Sequence, residues 1–291
     1  AAWTGWATGD GLAVFVAANR TVSTLIGPTT VPTANTTNAL PAGTAWKKCV
    51  FGNGSFVSVC TSTTSAARLA PRAGVAWTAT TLPSAAAWSL LAFGNNAFVT
   101  VAPSSTSAAI STDNGQTWSA VTLPASLNWS NLQYANGNFV LIANGSRDVY
   151  TSSDGSTWNL QATALPSVSA WTGISWVAGG TNGTWVAVCT GSSAAAYSTD
   201  NGVTWTSSTM PVSGNWIVGA GKAAFDGRYM AIAFSQATTA GAFSFDGVTW
   251  TPITIATGTY GEINIYQPEL VSGVDTITVN NGATLTVNTT R

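Results

Sequence analysis

The chain has 291 residues, 45% hydrophobic and only 7% charged, with nine basic and ten acidic residues, no histidine and a formal net charge of −1. Its length is enough for one large domain or two ordinary ones. So sparse a charge gives no basic stripe to follow a phosphate backbone, and no nucleic-acid partner is expected. Without histidine there is no Ser-His-Asp or Cys-His machinery and no imidazole metal ligand, so no metal or cofactor is expected.

In chain order, "GLAVFVAA" at 11–18 is the longest apolar run and is strand-sized, well short of a membrane span. The opening residues show no charged, Leu-rich leader, so no signal peptide is expected within them. "CVFGNGSFVSVC" at 49–60 reads as two strands about a tight turn. Its alternation does not set Cys49 opposite Cys60 in a simple hairpin, and with Cys189 these are expected to be buried thiols without a disulfide. From 128 to 166, "NWSNLQYANGNFVLIANGSRDVYTSSDGSTWNLQATALP" alternates apolar and polar residues and carries turn signals every eight to twelve positions. It reads as four strands of about five residues.

That unit recurs. A Trp opens each copy, at Trp6, Trp46, Trp88, Trp129, Trp171 and Trp216. A Pro, usually within Leu-Pro, closes each, at Pro41, Pro83, Pro124, Pro166, Pro211 and Pro252; both markers step by 40 to 45 residues. Aromatics five places after the opening Trp (Phe51, Phe93, Tyr134, Trp176) and at the start of the second strand (Phe56, Phe98, Phe139, Trp185) read as core layers. Four-stranded units of this period define an all-β chain and predict a six-bladed β-propeller over 1–252, with a short C-terminal β extension over 253–291. The first unit has "GPTTVPTAN" where a turn belongs. The second, "APRAGVAW" at 70–77, carries Arg72 at the position of an Asp.

One phrase repeats between the third and fourth strands: "STDNGQTW" (111–118), "TSSDGSTW" (151–158), "STDNGVTW" (198–205) and "SFDGVTW" (244–250). Asp113, Asp154, Asp200 and Asp246 are expected to accept backbone N–H bonds from one to three residues ahead. Gly115, Gly155, Gly202 and Gly247 are expected to take a positive φ. Trp118, Trp158, Trp205 and Trp250 are expected to wedge between neighbouring blades with each indole N–H on a carbonyl.

The phrase resembles the Asp-box (BNR) repeat of sialidase-like propellers. The resemblance implies a propeller fold, structural boxes, and boxes that lie away from any catalytic face. It implies no activity here. A sialidase-like site needs an arginine cluster, a Tyr nucleophile and a Glu partner, yet the only glutamates, Glu262 and Glu269, fall in the tail. Four of eight aspartates belong to the boxes, and Asp10 and Asp226 sit in first hairpin turns. Asp148 and Asp275 do not make the carboxylate pair that glycoside hydrolysis requires.

A partner is expected on the loops between second and third strands: "TSTTSAAR" (61–68), "PSSTSAA" (103–109), "NGSRD" (144–148), "TGSSAAA" (190–196) and "SQATTAG" (235–241). Their least generic side chains are Arg68, Arg147, Asp148 and Gln236. In the tail, "TITVNNGATLTV" (276–287) reads as two strands about Asn-Asn-Gly, with Ile277, Val279, Leu285 and Val287 on one face. A lone ribbon is marginal, so this face is expected to be covered by the propeller or another chain. The phrase is similar to stretches near the ends of phage tail and fibre proteins.

These readings lead to a non-enzymatic virion component, extracellular, working in host attachment or assembly. It is expected to be a homo-oligomer or part of a larger particle, with other virion proteins and a cell-surface glycan or receptor as partners and with no membrane insertion. The alternatives are a secreted bacterial or assembly-factor scaffold and, third, a sialidase-like glycan hydrolase.

Overall fold

The computed structural model describes residues 3–10, 12–19, 22–26, 39–42, 45–61, 63–71, 76–178, 183–222, 229–258, 275–279 and 283–287. Among them are 25 strands and no α-helix. The chain divides into two compact units, Ala1–Phe139 with Ser152–Asn159, and Val140–Thr151 with Leu160–Arg291.

Six sheets follow one another along the sequence. The first contains β1 (Trp3–Gly9), β2 (Leu12–Ala17) and β3 (Val22–Ile26), in that order. The second contains β4 (Trp46–Gly52), β5 (Ser55–Cys60), β6 (Thr63–Leu69) and β7 (Thr78–Ala86). The third contains β8 (Leu90–Gly94), β9 (Ala97–Val101), β10 (Ser105–Ser111) and β11 (Ser119–Leu127). The fourth contains β12 (Trp129–Ala135), β13 (Asn138–Ala143), β14 (Val149–Ser152) and β15 (Asn159–Gln161). The fifth contains β16 (Trp171–Val177), β17 (Thr184–Cys189), β18 (Ser192–Ser198) and β19 (Thr206–Gly214). The sixth contains β20 (Trp216–Lys222), β21 (Tyr229–Ser235), β22 (Ala240–Ser244) and β23 (Thr251–Thr254). Each sheet is a meander in chain order, and a separate hairpin pairs β24 (Asp275–Val279) with β25 (Ala283–Val287).

The two periodic markers recur because they hold each other. Leu82, Leu123 and Met210 are almost wholly buried, and the Pro that follows each lies where the ladder to the third strand breaks register. A Pro cannot donate to the ladder, so it is tolerated at such a bulge. The carbonyl just after the Pro then accepts the indole N–H of the next opening Trp: Ser84 from Trp88 at 3.0 Å, Ser167 from Trp171 at 3.0 Å and Val212 from Trp216 at 3.1 Å. Trp129 instead donates to the Ser105 carbonyl at 2.9 Å. These tryptophans are among the most deeply buried side chains in the molecule.

The aromatic layers also form. Phe51 with Phe56, Phe93 with Phe98 and Tyr134 with Phe139 each stand 4.7 Å apart, centroid to centroid. Each first-strand aromatic lies on a glycine of the preceding sheet. A Cβ on Gly9 would stand 2.1 Å from the Phe51 ring, one on Gly52 2.1 Å from Phe93, and one on Gly94 1.9 Å from Tyr134. Glycine is required there by close approach, not by turn geometry.

Three expectations change. Segments 63–68, 105–109 and 192–196, expected as loop, make up most of β6, β10 and β18. Their Ser, Thr and Ala residues look like loop composition, but Ala66, Ala67, Ala108, Ala109, Ala195 and Ala196 are buried. The connecting turns are therefore tight. Second, the four wedge indoles do not all find carbonyls. Trp205 donates to the Gly202 carbonyl at 3.1 Å, whereas the buried Nε1 atoms of Trp118, Trp158 and Trp250 have no partner among the described residues. The packing wins over the hydrogen bond, because a large apolar ring in the core outweighs one amide-like bond. Trp118 packs on a cluster drawn from the second and third sheets, and Trp250 belongs to one drawn from the fifth and sixth. Third, Asp113 and Asp200 reach a fourth residue along the chain, one beyond the expected span, whereas Asp154 and Asp246 keep within it, as described below.

The cysteines stand as expected. Cys60 pairs in register with Trp46 and Cys49 with Ser58, and all three cysteines are buried and outside any disulfide. Segments 28–36 and 72–75, with Arg72, lie outside the described residues, as do Asp226, Glu262 and Glu269. The expected tail hairpin is present, with Ile277 opposite Leu285; the covering of its apolar face also falls outside what is described.

Candidate functional site

The repeated turn is the first place to look for chemistry, and each of its four carboxylates accepts hydrogen bonds from its own turn. Ser111 Oγ donates to Asp113 Oδ1 at 2.8 Å and accepts the Gly115 N–H at 2.8 Å. Asp113 also accepts the N–H of Gln116 at 3.0 Å and of Thr117 at 2.9 Å, and the Thr117 hydroxyl at 2.6 Å. Asp200 repeats this with Ser198, the Thr204 N–H at 2.8 Å and its hydroxyl at 2.6 Å. In the turns one residue shorter, Asp154 accepts from Ser156 and Thr157 at 2.8 and 2.7 Å, and Asp246 from Val248 and Thr249 at 2.8 Å each. The carboxylates therefore reach two to four residues ahead, according to turn length.

Burial raises the carboxyl pKa of Asp113, Asp200 and Asp246, but the combined hydrogen bonds outweigh it and hold each below the ordinary value. For Asp154 the Thr157 N–H dominates and the depression is largest. The turn glycines serve two purposes. Gly115, Gly155, Gly202 and Gly247 have φ between 76° and 90°. A Cβ on them would meet the second-strand valine of the preceding sheet, at 2.6 Å for Val57, 2.5 Å for Val99, 3.1 Å for Val140 and 2.7 Å for Val186. Each turn is thus a clip that closes on itself and seats on its neighbour.

The four expected contact residues do not form one group. Arg68 is in β6, not a loop, at the end nearest the repeated turn. Its Nε donates to the Asn114 carbonyl at 2.8 Å, and Asn53 Nδ2 donates to Asn114 Oδ1 at 2.7 Å. Arg68 is therefore a latch between the second and third sheets. Gln236 opens the short turn after β21, with its N–H on the Asn215 carbonyl at 3.0 Å.

Arg147 and Asp148 stand together at the fourth sheet, where the repeat departs from its pattern. The outer strand there, β15, has three residues, against nine in β7, β11 and β19. After Gln161 the chain leaves the sheet and is caught by the loop before β14. Arg147 Nε donates to the Leu165 carbonyl at 2.7 Å and Nη2 to the Thr163 carbonyl at 3.3 Å. Asp148 Oδ1 accepts the Thr163 N–H at 3.0 Å. Backbone bonds from Leu165 N to Arg147 O and from Gly145 N to Ser169 O, both 2.9 Å, complete the clasp. Thr163 is held at φ +52°, an unfavourable conformation for a β-branched residue. Nearby Tyr150 is buried, and burial first, then the Asp148 carboxylate, raises its phenol pKa.

Sequence reasoning missed the turn serines, which are buried, and the latch of Arg68 on Asn114. The serines had a signal, since each stands two residues before the Asp of its copy. The latch had none. Among the described residues no group of three or more Cys, Asp or Glu side chains is placed to hold a metal ion.

No protein-family description and no curated protein sequence matches the chain. Solved structures do. A streptogramin B lyase superposes with a TM-score of 0.75 at 12% identity, over 96% of this chain and 91% of that one. A catalytically inactive His-to-Ala variant of virginiamycin B lyase from Staphylococcus aureus, with quinupristin, gives 0.73 at 12% over 98% and 93%. YCF48 from Cyanidioschyzon merolae gives 0.67 at 14% over 98% and 95%. At these identities the likeness defines the fold. With six consecutive sheets, the chain is an all-β, six-bladed β-propeller.

Proposed function

We propose that this propeller is a non-enzymatic module of the Asp-box type on the surface of a virion, such as a phage tail fibre, tail tip or head decoration. There it contacts a host receptor or glycan and neighbouring subunits. One observation carries the non-enzymatic part: the carboxylates of Asp113, Asp154, Asp200, Asp246 and Asp148 are all bonded to their own backbone. Each is drawn into holding its own turn or clasp. The lyase likeness does not supply an activity, since loss of one histidine accompanies inactivity in that relative and this chain has no histidine. The charge-poor, hydroxyl-rich composition and the tail's similarity to phage fibre ends support the virion setting.

A second reading, an assembly-factor scaffold, is favoured by the likeness to YCF48, also solved bound to a D1 peptide, with a TM-score of 0.56 over 80% of this chain.

The test pairs labelled chain with intact host cells and with their isolated surface polysaccharide. Binding without release of reducing sugar is expected, and antibody against the chain should decorate intact particles. Sugar release overturns the non-enzymatic reading; unlabelled particles overturn the virion reading.

A further inference from the structure

From the clasp on the fourth blade, we infer that Arg147 and Asp148 form a binding site for the vicinal hydroxyls of a neutral sugar; this rests on the adhesion reading above. Both side chains are fixed by the backbone they hold, yet neither is exhausted. Arg147 Nη1 and Asp148 Oδ2 make no hydrogen bond among the described residues. A guanidinium that only donates and a carboxylate that only accepts stand on adjacent residues. Their charges cancel, so the pair favours neither an anion nor a cation. It fits a neutral group that accepts and donates over a short span, as two neighbouring hydroxyls do.

Apolar contact is at hand. Val168 is 69% exposed, the most of any large hydrophobic residue described. Val168 lies between Leu165, bonded to Arg147, and Ser169, bonded to Gly145, so it runs alongside the same loop. It offers the C–H face of a sugar ring a surface that water solvates poorly. The strained Thr163, over-determined by both charged residues, is the kind of held conformation that preorganises a site. An extended peptide fits less well. Main-chain ladder bonds supply the affinity of strand addition, and the three residues of β15 offer too few. Arg68 and Gln236 are not part of this site.

The test uses the full chain against immobilised mannan and dextran, each untreated or oxidised with periodate, which cleaves vicinal diols; polysialic acid is the anionic comparison. We expect binding to at least one neutral polymer, abolished by periodate. Asp148→Asn keeps an oxygen for the Thr163 N–H and replaces the other by a donor. It should weaken binding about tenfold or more, the usual effect of losing one charge-assisted bond, with the melting temperature nearly unchanged. Val168→Ala should weaken it less, and Val212→Ala, an exposed valine on β19, not at all.

Equal binding by Asp148→Asn and wild type overturns the site, as do retention on oxidised polymer, preference for polysialic acid and absence of binding to either neutral polymer. Cell binding that survives Asp148→Asn, or that protease treatment of the cells removes, overturns the site but leaves the adhesion reading standing. Absence of any cell binding overturns adhesion itself.

Discussion

At Gly155 two demands meet in one residue: φ is +77° and a Cβ would stand 2.5 Å from Val99. Gly202 shares the positive φ but leaves 3.1 Å to Val140. Gly155→Ala should therefore cost more than Gly202→Ala, roughly 2–3 kcal/mol against 1–2, in denaturant titrations, since strain in the left-handed region is common to both and overpacking is not. The turn carboxylates give a pH dependence of definite sign. Their folded pKa values lie below the unfolded value of 3.8, so their contribution is complete above about pH 4 and is lost as pH falls through the folded values. Thermal unfolding followed from pH 6 to pH 2 should show the melting temperature falling below about pH 4, and Asp154→Asn should shallow that fall. Gly and Asp at these positions were legible because the phrase repeats. The valine beneath each glycine was not, because it lies 56 to 62 residues earlier on another sheet.

The blade is the element, and its edge is where association would begin. An outer strand presents unpaired N–H and C=O groups, and β7, β11, β19 and β23 each contain a Pro that removes a donor. The edge β15 has none but is only three residues long. Pro124→Val should restore a donor to the edge of β11 and raise light scattering at high concentration while leaving the far-ultraviolet spectrum in place. The strand boundaries show where sequence reading stops. Ser, Thr and Ala at 105–109 have loop composition, yet they are strand because Ala108 and Ala109 are covered on both sides. Small side chains let backbones approach, and only packing reveals that they do.

For the described residues as a whole, stability rests on packed indoles. Trp171, fully buried and bonded to the Ser167 carbonyl, should cost roughly 3–5 kcal/mol on change to Ala, enough to consume much of a typical domain's stability. The thiols should not react with Ellman's reagent in the native state, and reducing agent should not shift the melting temperature. All three are buried, and burial pushes the Cys189 thiol up to about 11. Reaction of even one thiol with the folded protein would contradict this packing.

The period of about 42 residues, the four-stranded unit and the identity of the clip residues follow from the sequence alone, because repetition exposes which positions every unit must keep. What each unit does differently was settled in three dimensions. Arg68 and Arg147 look alike in a string of small polar residues, yet one latches two sheets and the other clasps an irregular strand end. A side chain's partner is a matter of distance in space, and hydrophobic periodicity records only which face it points toward.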